Sequence, residues 1–205
     1  MGSQKSTLEQ AWDALNNNKP EAAKKICENI LSCASNSKVS DEVLWPLGYA
    51  YLELKIFDKA RNIWSEMYER TNDHRALHQV GMVEREKGNF PKAFEIFKLE
   101  ESILPKDNNF AQAINLYELS FCSLKLGELG RASYYFEKYS CLDLNKNDPI
   151  ERACFHRLEG DLLLVKGQNA DCLKAYEKSK NYFQQADDTL GVNELDEKIR
   201  LVIDA

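Results

Sequence analysis

The chain has 205 residues, 43% of them apolar, enough to bury a substantial core. Its net charge of −6 arises from 27 basic residues scattered among 33 acidic ones, with no basic stripe for counterion release, so a nucleic-acid partner is not expected. No 18 apolar residues run together and the opening Met-Gly-Ser-Gln-Lys-Ser has no apolar core, which argues against membrane spanning and secretion.

Gly2 and Ser6 fit the acylation pattern M-G-x-x-x-[ST], but one acyl chain without a polybasic patch anchors only marginally, and no membrane partner is expected. The first predicted helix, Thr7 to Asn16, carries Leu8, Ala11, Trp12 and Leu15 on one face. Asn17 to Pro20 is a turn, with the proline well placed at a helix start, as are Pro91 and Pro149. A polar connector, Cys33 to Ser40, precedes a helix from Asp41 to Leu54. Pro46 falls inside that helix, which therefore either begins nearer Val43 or bends. Asn72 and Asp73 offer a cap for the helix that begins at His74. Gly88-Asn89-Phe90 turns the chain into a partner helix, and Leu104 to Asn109 is a loop. A longer helix, Phe110 to Leu126, turns at Gly127 to Gly130 into one bearing Ala132, Tyr135, Phe136 and Tyr139. After a loop at Asn145 to Pro149, with cap chemistry at Asp148, come helices to Val165 and, past Gly167, to about Ala186. Thr189 to Ala205 closes the chain as an amphipathic helix with Val192, Leu195, Ile199 and Val202 on one face.

These helices repeat. A small residue early in each second helix, Ala22, Ala60, Ala93, Ala132 and Cys172, recurs at steps of 38, 33, 39 and 40 residues. Four residues beyond each stands a bulky one: Ile26, Trp64, Phe97, Phe136 and Tyr176. Twelve before it lies a small residue in four copies, Gly48, Gly81, Ser120 and Gly160, while the first copy has Gln10. A mid-helix glycine costs roughly 0.8–1 kcal/mol against alanine, so its recurrence calls for close helix packing as the compensating gain. The six cysteines contain no C-x-x-C pair and fall mostly at core-type positions, where they act as small hydrophobes in a reducing compartment.

With Gly88-Asn89-Phe90 in the turn and Pro105 closing the unit, this pattern resembles the tetratricopeptide (TPR) family, most specifically over Leu44 to Met67 and Leu77 to Pro105. The longer steps look like the elongated TPR hairpins of bacterial peptide-sensing regulators, and Arg75 to Arg85 is similar to uncharacterised bacterial TPR proteins. The resemblance implies an all-α, right-handed superhelical solenoid forming a single domain over 1–205. Its hairpins would lie at roughly 6–32, 41–70, 74–104, 108–143 and 149–186, with 189–204 as the capping helix. It also implies a scaffold that takes a protein or peptide along its concave groove; the cysteine usage and the lack of a secretion or membrane signal add the expectation of a cytoplasmic location, and the lack of catalytic motifs that of a non-catalytic protein without cofactor. Those regulators carry an N-terminal effector domain, and only a few polar residues precede the first hairpin here, so direct transcriptional regulation is not expected. TPR domains that clamp the carboxylate of chaperone tails use Lys, Asn and Arg on consecutive first helices. Pro46 and Tyr49 stand where the asparagines would serve.

Phasing the first helices against the mid-helix small residues puts Trp45, Tyr49, Leu52, His78, Met82, Arg85, Tyr117, Phe121, Leu124, Arg157 and Asp161 on the groove. The expected division of labour is apolar contact from Trp45, Tyr49, Met82, Tyr117 and Phe121, with His78, Arg85 and Arg157 as polar anchors. A second reading makes the apolar face a homodimer interface. A third, a metal-dependent enzyme, would use His74 and His78 at i and i+4, but zinc needs further ligands and the Glu of H-E-x-x-H is missing, so no metal is expected. No nucleophile elbow, Cys–His pair or phosphate-binding glycine loop occurs.

Overall fold

A computed structural model describes residues 7–33, 41–142 and 148–204 of the chain. The acylation pattern at Gly2 and Ser6, the connector after Cys33 and most of the loop before Pro149 lie outside these residues. Among the described residues there are eleven helices and no strand. By their internal packing they fall into two units, Met1–Ile96 and Phe97–Ala205.

In the first unit the helices are α1 (Thr7–Asn16), α2 (Pro20–Cys33), α3 (Asp41–Glu53), α4 (Phe57–Thr71), α5 (His74–Glu86) and the start of α6 (Phe90–Ile103). Each helix from α1 to α4 packs on the next, and α1 also packs on α3. Asp73 caps α5 by accepting from the backbone N–H of Arg75 at 2.9 Å, as expected, whereas Asn72 instead ends α4 in the left-handed conformation. Pro46 sits buried inside α3, which begins at Asp41 and runs through it. The proline deprives the Glu42 carbonyl of its in-helix donor, one turn from the helix start, and of the two expected alternatives, a start nearer Val43 or a bend, the late start does not occur.

The second unit holds the rest of α6, α7 (Asn109–Lys125), α8 (Leu129–Ser140), α9 (Pro149–Val165), α10 (Asn169–Gln185) and α11 (Thr189–Ile203). Consecutive helices from α7 to α11 pack on one another and α7 packs on α9. Asn108, Asp148 and Asp188 cap α7, α9 and α11 through their side-chain oxygens.

One closure serves every turn inside a hairpin. A residue at positive φ follows the first helix: Asn18, Lys55, Gly88, Gly127 and Gly167, with φ between 54° and 75°. The next N–H then reaches back five residues to a helix carbonyl, as from Asn89 to Glu84 at 2.9 Å and from Gln168 to Leu163 at 2.9 Å. Asp187 repeats it between α10 and α11, which makes that junction a sixth hairpin turn in geometry.

Two of the mid-helix glycines, Gly48 and Gly160, meet aromatic rings. A Cβ on Gly48 would lie 2.6 Å from the Trp64 indole, and one on Gly160 would lie 2.4 Å from the Tyr176 ring. The recurring glycine and the recurring bulky residue are thus two halves of one contact. Ser120, at the same position in α7, spends its hydroxyl on the Ala132 carbonyl of α8 at 2.8 Å. Gly191 of α11 makes a third such contact, 2.6 Å from the Phe183 ring, and was not marked by the repeat pattern.

The first copy is in a different register from the expected one. Ala22 is exposed, while Ala23 is fully buried with Ala11 twelve residues before it and Cys27 four after it, both also fully buried. The adjacent alanines made the position ambiguous in sequence, and the small residue missing at Gln10 is supplied by Ala11. Ala23→Leu should therefore cost about 1 kcal/mol or more from overpacking, while Ala22→Leu should stay within about 0.5 kcal/mol. Urea denaturation midpoints of the two variants check this.

Candidate functional site

In the first unit the residues expected on the groove come from α3 and α5. Trp45 and Tyr49 are half-buried, with ring centroids 6.3 Å apart. Tyr49 also lies 5.8 Å from Trp12 of α1 and meets the buried Trp64 edge-on at 5.3 Å. Burial pushes the Tyr49 hydroxyl above its usual range, against a small opposing pull from Arg75. The guanidinium of Arg75, tied to Asp73 at 2.6 Å, stands 5.8 Å over the Trp45 ring. Trp12 and Arg75 thus join the aromatic row. In the sequence Trp12 stands out only as part of the apolar face of the first helix, and Arg75 only as the start of the stretch Arg75 to Arg85.

On α5, His78 and Met82 are half-buried, and Arg85 pairs with Glu86 at 2.7 Å. His74 and His78 lie one turn apart on this helix, and among the described residues no group of three or more His, Cys, Asp or Glu side chains converges as a metal site would require. His156, in the second unit, is buried in a polar cage, its Nδ1 2.8 Å from Glu159 and its Nε2 3.3 Å from Arg152, with its ring parallel to that of Tyr182.

The second unit brings Tyr117, Phe121 and Arg157 together. The Tyr117 and Phe121 rings stack at 6.3 Å with 9° between their planes. Arg157 crosses from α9 and donates to the Tyr117 hydroxyl at 2.8 Å. Its guanidinium also lies 5.9 Å from the Tyr117 ring and 5.6 Å from that of Phe183. Tyr117 is only 8% exposed, so it is a support for Arg157 more than a contact surface, and burial raises its pKa strongly despite the opposing charge of Arg157. Phe121 and Leu124 are half-buried on the same side of α7.

The sequence phasing did not place α11 at this face. Glu194 accepts from Arg157 at 2.8 Å, and Lys198 joins Asp161 at 2.6 Å while lying 3.7 Å from Glu194. Asp161 also accepts from Tyr176 at 2.6 Å. Spacing gives this segment an apolar face that covers the core and an opposite face of Asn, Asp, Glu, Lys and Arg. The i, i+4 pair Glu194 and Lys198 was the available signal that one edge of it carries charge toward its neighbours.

Three of the six cysteines, Cys27, Cys122 and Cys172, are fully buried, Cys154 is half-buried, and Cys33 and Cys141 are exposed; all are free thiols. Burial pushes the Cys27 thiol up to about 11, the direction of an inert core thiol.

No family model matches the sequence, and no curated protein matches it. Solved structures do match. A tetratricopeptide repeat protein from Parabacteroides merdae aligns with a TM-score of 0.75 and 18% identity, over 96% of this chain and 70% of that one. TTC0263, a thermophilic TPR protein of Thermus thermophilus, aligns with a TM-score of 0.68 and 18% identity, over 97% of this chain and 98% of that one. The TPR-like repeats of a Podospora anserina kinesin light chain align with a TM-score of 0.60 and 15% identity, over 88% and 94%. At such identities the likeness is one of fold.

Proposed function

We propose that this chain, which has the tetratricopeptide-repeat fold, is a non-catalytic scaffold that receives a protein or peptide partner on the faces formed by its first helices. The observation that carries this reading is the half-buried aromatic row of Trp12, Trp45 and Tyr49, flanked by Arg75. Aromatic side chains held by their neighbours present wide apolar contact at little entropic cost, and arginine beside them adds directional donors. His78, Met82 and Arg85 extend that face along α5, and Phe121 and Arg157 offer the corresponding contact in the second unit, with Tyr117 behind them.

The test is a pull-down from native lysate with Trp45→Ala and Phe121→Ala, each half-buried at the wild-type position and so tolerant of truncation. Each variant should recover the wild-type partner at least about tenfold less efficiently, the scale of a lost hot-spot residue. Equal recovery by both would remove the support for these faces.

Self-association is the second reading, favoured by Leu190, Leu201 and Ile203 of α11, which are 78%, 61% and 66% exposed. Light scattering at micromolar concentration separates the two: a stable dimer that Leu201→Glu dissolves favours this one.

A further inference from the structure

The polar end of the second unit's face holds a cation that is fixed in place yet matched by an exposed anion. Arg157 is 20% exposed along its side chain, and its guanidinium is oriented by the Tyr117 hydroxyl and by the Tyr117 and Phe183 rings. Among the described residues the carboxylate paired with it is Glu194, which is 43% exposed. The two halves of this pair differ in kind. Arg157 is held by three contacts from α7 and α10, whereas Glu194 reaches in from α11 and, among the described residues, has Lys198 as its further ion-pair partner, at 3.7 Å. Lys198 has Asp161 at 2.6 Å and stays neutralised if Glu194 leaves. A rotamer change at Glu194 therefore frees the outer donors of Arg157 without undocking α11, whose buried Gly191, Leu195 and Val202 hold it to the core.

Resting on the scaffold reading above, we propose that Glu194 is a built-in occupant of an anion site at Arg157, displaced when an acidic side chain of a partner segment pairs with the guanidinium. A planar fork already oriented by neighbours loses little freedom on exchanging one carboxylate for another, and a carboxylate that is itself 43% exposed gives up its place at small cost. The surface thus favours partners carrying Asp or Glu near an apolar residue, because Phe121 stacks on the Tyr117 ring that supports Arg157, and it screens out segments that bring no carboxylate to replace Glu194.

The experiment measures binding of a dye-labelled, C-terminally amidated peptide of alternating glutamate and leucine to the full chain by fluorescence anisotropy. A glutamine–leucine peptide is the control. Glu194→Gln should tighten binding of the acidic peptide about two- to fivefold and leave the control unchanged. Glu197→Gln, which makes the same charge change elsewhere on α11, should give no gain. Adding Arg157→Lys to Glu194→Gln should cancel the gain, and if that double variant loses helical circular dichroism, the side-chain 15N resonances of Arg157 in Glu194→Gln should shift on titration with the acidic peptide. Unchanged or weaker binding by Glu194→Gln overturns the proposal, as does an equal gain in Glu197→Gln. The pull-down with Trp45→Ala does not involve Arg157, so failure of the anion exchange and failure of the scaffold reading are told apart.

Discussion

Gly160→Val is expected to destabilise the protein by about 3 kcal/mol or more, with Gly48→Val close behind. Even the first carbon of the new side chain would lie 2.4 Å from the Tyr176 ring, and the ring cannot retreat because its hydroxyl is tied to Asp161 at 2.6 Å and it is fully buried. The gain of up to about 1 kcal/mol that a helix draws from losing a glycine does not offset a clash of this kind. Gly88→Ala makes the contrast. No atom lies within 4 Å of its added Cβ, so the expected cost is about 1 kcal/mol, from the backbone at φ 75° alone. Chemical denaturation should rank the three variants in that order. A Gly160→Val protein as stable as Gly88→Ala would mean that the glycine and the tyrosine are not pressed together.

Lys92→Met should cost about 2 kcal/mol at pH 7, and the cost should fade in acid. Its partner Glu84 is 1% exposed on α5, accepting from Lys92 at 2.9 Å and Asn89 at 3.1 Å, with Arg61 at 3.5 Å. Burial pushes the Glu84 carboxyl up, but the Lys92 hydrogen bond and charge overcome it and leave the group below the usual carboxylate range. A carboxyl whose pKa is lowered by folding contributes stability that is present above its unfolded value, near 4.3, and is lost as pH falls through the folded value. Removing Lys92 leaves the buried carboxylate with Asn89 and the more distant Arg61. The difference between wild type and variant should therefore be largest above about pH 5 and close as Glu84 becomes protonated in both. Urea titrations at pH 7 and below pH 4 measure it, and a gap that is constant with pH would show that Lys92 acts through packing and not through charge.

Glu84 also marks where sequence reading stops. It lies on the stripe of Leu77 and Gly81, so its burial was foreseeable from spacing, but its three partners come from the turn and from two neighbouring helices and were not. Arg157 is a similar case. Helical phase singles out Arg157, while its carboxylate partner stands 37 residues away on α11, where no local spacing links the two. Tyr117 satisfied the phasing and proved to be buried, because a helix with both neighbours packed on it has little free arc, and periodicity does not report how wide that arc is.

The sequence alone determined the helices, their turns and the repeat, because these depend on spacing within short stretches: apolar residues at helical intervals, caps such as Asp73 and Asp148, and positive-φ glycines at the turns. It also determined that glycine must recur in mid-helix. Only the tertiary structure decided what each glycine faces, that Ala23 and not Ala22 sets the first register, and that Glu194 completes the charge of Arg157. Those outcomes are fixed by distances between residues far apart in the chain, where one residue of shift or one rotamer exchanges buried for exposed, and local pattern carries no record of that choice.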